Sequence, residues 1–355
     1  MSRSPRILTV QAVDWPDATV VALDGGLGGR LRRARALAAA ALRHDLVLLS
    51  GAVSLSQLYD QMLIAGALAR RHPQLCVVLD GCYWEAGTRF LDRLTGIRPV
   101  PGEDRPARRG RRLAEALVAS VRRPNIHYVV YGSDERSVFA ARWGIDRARV
   151  FHLNYHVHPW TERVDPGAVS AAGYVFAGGD SLRDYRPLLR AAERLACEIV
   201  IATRLPVGPT PSNVTAGPMA EHDFRAAALG AAVHVVPSTV DAPRSTGQAT
   251  YLDALMLGIP AVVTDGLGVV DHLCAERDAL IVAPGDADLL GSAIRRCLYD
   301  RALRERLRAA GIARARREYT LAAFRERQRR QLGEIWETHL DRLGQGAATT
   351  GATPW

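Results

Sequence analysis

Short apolar runs alternate with longer amphipathic segments along the first half of the chain. Strands are predicted at 18–23, 46–50, 75–79 and 126–131, and helices at 30–43, 55–71, 111–121 and 134–143. Apolar runs that are bounded by Gly or Pro and separated by helical patterns are typical of a parallel sheet covered by helices. The first half is therefore predicted to form an α/β domain with a doubly wound parallel sheet.

The same alternation returns after an aperiodic, polar stretch that begins at 151 and ends near Gly167. Strands are predicted at 173–177, 199–202, 233–236, 261–264 and 280–282, and helices at 186–195, 287–299, 302–318 and 321–343. We therefore expect one domain over 1–151, a linker over 152–167 and a second domain over 168–320. The Gly-, Ala- and Thr-rich residues 344–355 are predicted to be disordered.

Composition agrees with two domains that bury apolar sheets. The chain has 355 residues and is 48% hydrophobic, which suffices for two cores. It contains neither a run of 18 apolar residues nor a hydrophobic segment at its start, so we expect a cytoplasmic protein. The five cysteines lack CxxC spacing, which predicts reduced thiols.

All 46 basic residues are arginine, because the chain contains no lysine. Together with abundant Ala and Gly, this bias is typical of a GC-rich bacterial genome, so the net charge of +9 does not indicate a nucleic-acid partner. Any cation that binds phosphate must be an arginine, which forms a bidentate fork. The Arg cluster at 105–112 could dock weakly on an anionic membrane or be a solvated surface, and both interpretations stay open.

The segment 245–265 carries the most informative pattern. Small polar residues and Gly247 open an apolar helix that ends at Gly258 and leads into a strand. A helix N-terminus offers free N–H groups and a positive dipole end, which suit a phosphate. Asp253 lies about 9 Å further along the helix axis than Gly247, roughly the span from a diphosphate to a ribose hydroxyl. The pattern predicts a site for a nucleoside diphosphate.

Two further strand ends offer phosphate ligands. Gly178 and Gly179 follow the strand 173–177, at the edge where open α/β sheets bind ligands, and Arg183 comes shortly after them. The alternative is a plain turn with a solvated arginine. Arg204 follows the strand 199–202, and we expect it to converge with Arg183 if the two strands are neighbours.

The second half resembles the donor-binding domain of retaining GT-B glycosyltransferases of the large family-4 group. The matching segments are 177–185, 235–238, 247–265 and 279–286. The resemblance implies two Rossmann-like domains that face each other across a cleft, with the helix 321–343 crossing back to the first domain. It further implies that the second domain binds a nucleotide-sugar donor and that the first binds most of the acceptor.

The resemblance also implies roles for single residues. Asp253 would bind the ribose hydroxyls, where the family usually has glutamate, and Arg183 would replace a phosphate-binding lysine. Ser245 stands where the family has a first glutamate, so Gln248 is expected to take over the sugar contact. The predicted donor site comprises Gly178, Gly179, Arg183, Arg204, Ser245, Thr246, Gly247, Gln248 and Asp253.

Candidates on the acceptor side come from the first half and the linker. Gly28 and Gly29 belong to a glycine-rich segment (24–30) that is similar to the family's flexible loop, or is a mere turn. Asp80 and Glu85 flank the end of a strand, at a place where the family often has a histidine that this chain lacks. His156 could line the cleft. The spacing of His152, His156 and His158 does not fit a common zinc pattern, so no metal is predicted.

These residues predict a metal-independent retaining glycosyltransferase without a cofactor. It would move a sugar from a UDP-, GDP- or TDP-sugar to a hydroxyl acceptor, a small molecule or saccharide. Arg183, Arg204 and the helix N-terminus would stabilise the leaving diphosphate. Two alternatives stay open: a nucleotide-sugar epimerase or hydrolase on the same fold, and a catalytically silent nucleotide-sugar-binding protein.

Overall fold

A computed structural model describes residues 4–21, 26–50, 59–82, 84, 116, 118–168 and 173–350. The chain forms two compact units. Unit 1 comprises Met1–Leu153 and Arg327–Trp355, and unit 2 comprises Asn154–Glu326. The chain passes from unit 1 to unit 2 inside the stretch that the sequence predicts to be a linker.

Unit 1 contains a parallel sheet, in which the described residues form six strands in the order β2-β1-β3-β4-β5-β6. The strands are β1 Ile7–Thr9, β2 Ala18–Val20, β3 Leu46–Ser50, β4 Cys76–Asp80, β5 Ile126–Val130 and β6 Val150–His152. The helices are α1 Gly26–Ala41, α2 Tyr59–Arg71 and α3 Glu135–Trp143, with a further helical stretch at 118–121. The predicted α/β class is confirmed, while the three-residue strands β1 and β6 were not predicted.

Burial explains why the central strands of unit 1 are continuous apolar runs. β4 and β5 are buried along their whole length, because helices cover both faces of a parallel sheet. Trp84 packs edge-on against Tyr128 at a centroid distance of 5.7 Å and lies 5.0 Å from Phe139. These rings fill the space between the sheet and α3.

Unit 2 contains the second parallel sheet, in the order β12-β11-β10-β7-β8-β9. Its strands are β7 Val175–Gly178, β8 Ile199–Ala202, β9 Val214–Gly217, β10 Val233–Val236, β11 Ala261–Thr264 and β12 Leu280–Val282. Its helices are α4 Arg186–Ala192, α5 Glu221–Leu229, α6 Gln248–Leu257, α7 Val269–His272, α8 Ala287–Tyr299 and α9 Arg301–Glu318. The chain order reverses between β7 and β10, which creates a topological switch point at their carboxyl ends.

The last helix, α10 (Leu321–Thr350), begins in unit 2 and belongs to unit 1 from Arg327 onwards. Within unit 1, Gln328 donates from Nε2 to Oδ2 of Asp80 at 2.6 Å. Nε2 of His127 on β5 lies 3.2 Å from Nδ1 of His339. The sequence predicts that the helix ends at 343 and that 344–355 are disordered. In the structure the helix continues, and residues 344–350 are helical.

No helix in the described part of the chain combines the length and the apolarity needed to cross a bilayer.

The buried His127–His339 contact makes unit 1 sensitive to acid. Burial lowers the pKa of His127 to about 3, helped by the charges of His339, Arg149 and Arg342, and burial also lowers the pKa of His339. In the folded protein the lowered pKa of each histidine favours the neutral ring, whereas in the unfolded chain both take up protons near pH 6.5. The two neutral histidines therefore contribute to the free energy of unfolding at pH values above the histidine pKa of the unfolded chain. This contribution is lost as the pH falls below that pKa.

We expect the free energy of unfolding of the wild type to fall more between pH 7.5 and pH 5 than that of the His127→Gln variant. Urea titrations at the two pH values measure this difference, with the exposed His222→Gln as control. Equal pH dependence in the wild type and His127→Gln would contradict the account.

Candidate functional site

Two loops of unit 2 meet at the carboxyl ends of β7 and β10. One runs from Gly179 to Tyr185 and the other from Pro237 to Gly247. They pair through an isolated bridge between Arg183 and Ser238, and the Asp184 N–H donates to the Pro237 carbonyl at 3.1 Å. The loops therefore hold each other at the switch point, where open α/β folds bind their ligands.

Arg183 is the central side chain of this site and is only 7% exposed. Its guanidinium donates to the carbonyls of Gly178 and Ser181 at 3.3 and 3.0 Å, and to the hydroxyls of Thr246 and Thr250 at 3.1 and 3.4 Å. The preceding residue, Leu182, has a φ of 51°, a left-handed conformation that is strained for leucine. After this strained turn, the Arg183 side chain points back towards the residues that precede it in the loop.

The charge of Arg183 lacks a carboxylate partner within the described residues, because all four of its acceptors are neutral. Burial lowers its pKa, and the charge of Arg244 adds to this effect. An arginine stays protonated in a protein even so, and a buried cation is costly without an anion. The arrangement is therefore suited to an anionic ligand.

Arg244 is a second buried cation that the sequence reasoning missed. It is 8% exposed and donates from Nη2 to the Ser181 hydroxyl at 2.5 Å and from Nη1 to the Ser245 carbonyl at 2.9 Å. Ser181 thus joins both arginines, through its carbonyl to Arg183 and through its hydroxyl to Arg244. The only signal for Arg244 in the sequence was its place directly before Ser245, in the loop that opens the helix.

The N-terminus of α6 lies beside Arg183, as predicted. The helix begins at Gln248 and ends at Leu257, with Gly258 as its left-handed C-cap. Gly247 has a φ of 84°, and a Cβ there would lie 2.7 Å from Val236 Cγ1 and 3.5 Å from Arg183 Nη2. Glycine is needed at this position because any other residue would have a strained backbone and its Cβ would clash with Val236.

Gln248 is 4% exposed, and its Nε2 has no hydrogen-bond partner among the described residues. An unpaired buried amide N–H is costly, so a ligand acceptor at this point would be favourable. Gln248 therefore presents a donor beside the helix N-terminus, which agrees with its predicted sugar contact. That role stays a prediction.

Asp253, which was predicted to bind the ribose hydroxyls, contacts His158 in the structure, and its ribose contact stays a prediction. The carboxylate accepts from the His158 backbone N–H at 2.8 Å and from Nδ1 of its ring at 2.6 Å. Thr161 Oγ1 donates to the His158 carbonyl at 2.7 Å and lies 3.3 Å from the same carboxylate. Asp253 therefore anchors residues 158–161 to α6.

Arg204 does not join Arg183 in the described structure. β7 and β8 are neighbours, as the prediction required, but the Arg204 guanidinium pairs with Asp180 at 2.6 Å, and its side chain is 80% exposed. Asp180 also accepts from the Arg204 backbone N–H at 2.8 Å. The cation next to Arg183 is instead Arg244, and a phosphate contact for Arg204 stays a prediction.

Four of the residues predicted to contact the acceptor lie in unit 1, and the structure describes three of them. Gly28 and Gly29 lie in the first turn of α1, so the predicted loop is shorter than expected. Asp80 is buried and accepts from Gln11 at 3.1 Å as well as from Gln328, which holds α10 at the sheet edge. Glu85 lies outside the described residues. Their role towards an acceptor stays a prediction.

His156 packs within unit 2. Its ring stacks on Tyr155 at a centroid distance of 4.7 Å and lies 4.6 Å from the ring of Phe324. Burial lowers its pKa. A contact between His156 and the acceptor therefore also stays a prediction.

The described residues contain one group with potential metal ligands. Cys76, His127 and His339 are buried, and one ligand atom from each lies within 4.8 Å of the others. The 3.2 Å contact between the two rings is an ordinary hydrogen bond, and His339 Nε2 lies 3.0 Å from the Gln74 carbonyl. We interpret the group as the attachment of α10 to the sheet.

Solved structures share this architecture at low sequence identity. The sucrose-phosphate synthase of Thermosynechococcus elongatus matches with a TM-score of 0.58 and 15% identity, over 93% of this chain and 86% of that one. HepE of Anabaena in complex with UDP matches with a TM-score of 0.59 and 13% identity, over 89% and 86%. The α,α-trehalose 6-phosphate synthase of Burkholderia multivorans matches with 0.55 and 13%, over 92% and 77%.

The chain has the fold of the GT-B glycosyltransferases. Its two parallel sheets with their helices confirm the predicted fold class. No protein family model and no curated protein matches the sequence. The likeness to these structures therefore establishes the fold, and the chemistry must be argued from the residues of this chain.

The His158–Asp253 contact makes a testable electrostatic prediction. Asp253 raises the pKa of His158, chiefly through the hydrogen bond to Nδ1, against the opposing effect of burial. Stability from this pair is fully present below the unfolded pKa of about 6.5 and is lost as the pH rises through the folded value. We expect NMR titration to show a His158 pKa above about 6.5 in the wild type and a lower value in Asp253→Asn. An unchanged His158 pKa in Asp253→Asn would contradict the contact.

Proposed function

We propose that the chain is a glycosyltransferase that moves a sugar from a nucleoside diphosphate sugar to a hydroxyl acceptor. One observation carries the proposal: the buried Arg183–Arg244 pair lies at the N-terminus of α6, at the switch point of a GT-B fold. Arginines match phosphate oxygens bidentately, and the helix N-terminus adds free N–H groups and a positive dipole end. A diphosphate would supply an anionic partner for Arg183, whose acceptors among the described residues are all neutral.

The same groups suit catalysis of the sugar transfer. When the bond between the anomeric carbon and the diphosphate oxygen breaks, negative charge develops on the diphosphate. Arg183 and Arg244 are held in place by hydrogen bonds before the reaction begins, so they can stabilise that charge without reorganisation. They supply the positive charge that a metal ion supplies in other transferases, which supports the proposal of metal independence.

Retention of configuration is proposed from the family-4 resemblance of the segments around Arg183 and α6. In a retaining reaction without a protein nucleophile, the acceptor attacks from the face that the diphosphate leaves. A diphosphate oxygen would then take the proton of the acceptor hydroxyl. Unit 1 is proposed to bind the acceptor.

Uridine nucleotides are the first donors to test. HepE of Anabaena was crystallised with UDP and with UDP-glucose, and its fold is similar to that of this chain. GDP- and TDP-sugars are the further donors.

Product analysis tests the proposal. The protein is incubated with UDP-, GDP- and TDP-sugars, with and without hydroxyl acceptors. Release of the nucleoside diphosphate that depends on the acceptor supports the proposal. Sugar interconversion or hydrolysis without acceptor would favour an epimerase or hydrolase. Binding without turnover would favour a catalytically silent nucleotide-sugar-binding protein. Addition of EDTA tests metal independence, and the anomeric coupling constant of the product in NMR tests retention.

Arg183→Ala is expected to reduce kcat/KM by about 100-fold or more, the usual effect of removing one preorganised charge-stabilising donor. Arg244→Ala is expected to act in the same direction. Arg186→Ala is the matched control, because Arg186 lies in the same region, is exposed and pairs with Asp184. Circular dichroism checks that each variant is folded. Activity of a folded Arg183→Ala within twofold of the wild type would remove Arg183 from the site.

A further inference from the structure

Three side chains that commonly bind metals meet where α10 is attached to the sheet of unit 1. Cys76 opens β4, His127 lies on β5 and His339 lies on α10. All three are buried, and one ligand atom from each lies within 4.8 Å of the others. The two histidines are 212 residues apart in the chain, so only the folded unit brings the three side chains together.

The pairing of the strands places Cys76 and His127 on one face of the sheet. β4 and β5 are parallel, and the partner of His127 on β4 is Val78. Side chains alternate between the two faces along a strand, so Cys76, two residues before Val78, shares the face of His127. His339 contacts His127 on this face from α10.

His339 is oriented as a metal-ligating histidine usually is. Its Nε2 lies 3.0 Å from the carbonyl of Gln74, and because a carbonyl only accepts, this nitrogen carries the proton of the neutral ring. Nδ1 therefore keeps its lone pair and faces His127. Histidines that bind metals usually donate their other ring N–H to a carbonyl or a carboxylate, which fixes the tautomer in the same way.

The separation of the two rings fits a shared ion. Nε2 of His127 lies 3.2 Å from Nδ1 of His339. A tetrahedral ion with two bonds of about 2.0–2.1 Å holds its nitrogen ligands about 3.3 Å apart. In the metal-free chain a proton on His127 Nε2 fills this space, and Nδ1 of His127 then lacks a hydrogen-bond partner in the part of the chain that the structure describes. An ion between the rings would replace that proton, which moves to Nδ1.

A cavity of about 400 Å³ gives an ion and water a path to this group. His339 is part of its lining, together with Asn125 and Arg342. Three protein ligands leave one position of a tetrahedral ion open, and water from the cavity can fill it. The site therefore has both a ligand set and an entry path, which a metal site requires.

The ligand chemistry selects the class of ion. A thiolate and two neutral imidazoles suit a borderline-soft ion such as Zn²⁺, whereas Mg²⁺ and Ca²⁺ prefer oxygen ligands. The positive charges of Arg149 and Arg342 act on His127 and oppose a cation. Arg342 pairs with Asp146, and the Cys76 thiolate adds a negative charge when the ion binds.

We propose that Cys76, His127 and His339 bind a zinc ion that ties α10 to the sheet of unit 1. Binding forms one Zn–S and two Zn–N bonds, and the proton of the Cys76 thiol passes to solvent. The inference does not rest on the proposed function, because the three ligands lie in unit 1 and Arg183 lies in unit 2. It concerns a structural ion, whereas the proposed metal independence concerns the leaving diphosphate.

Metal binding is measured with the full chain, purified without a histidine tag and stripped with EDTA. We expect one Co²⁺ per chain, with a thiolate-to-cobalt charge-transfer band and the visible bands of tetrahedral coordination. Zn²⁺ should displace the cobalt, because it binds such sites more tightly. It should also raise the midpoint of thermal unfolding of the wild type.

Two variants locate the ion. Cys76→Ser should abolish the charge-transfer band and the thermal shift with Zn²⁺. His339→Gln should weaken zinc binding by more than about tenfold, since even the loss of a residue that only orients a ligand has this effect. Cys297→Ser is the matched control, because it changes a buried thiol of unit 2 and should leave both signals unchanged.

A stripped wild type that binds neither Co²⁺ nor Zn²⁺ would overturn the assignment, and so would a cobalt spectrum that persists in folded Cys76→Ser. If the substitutions unfold the chain, X-ray absorption of the zinc-loaded wild type decides. One sulfur at about 2.3 Å with nitrogens at about 2.0–2.1 Å supports the site, and a ligand shell without sulfur overturns it.

Discussion

The candidate site depends on a buried positive charge whose acceptors are all neutral. The guanidinium of Arg183 is desolvated and held by two carbonyls and two hydroxyls. Such a cation is tolerated because four of its five N–H groups have a neutral acceptor, but its charge remains available to a ligand. Arg244 and the N-terminus of α6 add to the same field, so this point of unit 2 attracts anions.

The topology of unit 2 makes this concentration of charge possible. Strand order reverses between β7 and β10, so the loops that follow these two strands diverge from the sheet at neighbouring positions. Both loops carry glycines, which have no side chain, at positions next to Arg183. The strained Leu182 indicates that the backbone is shaped around the guanidinium, and the left-handed conformation of Gly247 is one that glycine adopts without strain.

Local pattern was enough to predict the elements that carry the site. The strands 199–202, 233–236, 261–264 and 280–282 agree with the structure, and so do the start and end of α6. These elements are predictable because runs of apolar residues and glycine caps leave signals in adjacent residues, and β10 and β11 are buried along their whole length. β9 and α5 were missed, since β9 is buried at only one of its four residues and α5 has a single fully buried side chain.

The sequence by itself determined the α/β class, the helix N-terminus at Gly247 and the choice of arginine as the only strong cation for a phosphate. Tertiary structure decided which side chains meet. It placed Arg244 beside Arg183, paired Arg204 with Asp180, and joined His158 to Asp253 across 95 residues of chain. The reason is physical: helix and strand signals act over a few residues, whereas the partner of a charge is set by the folded sheet.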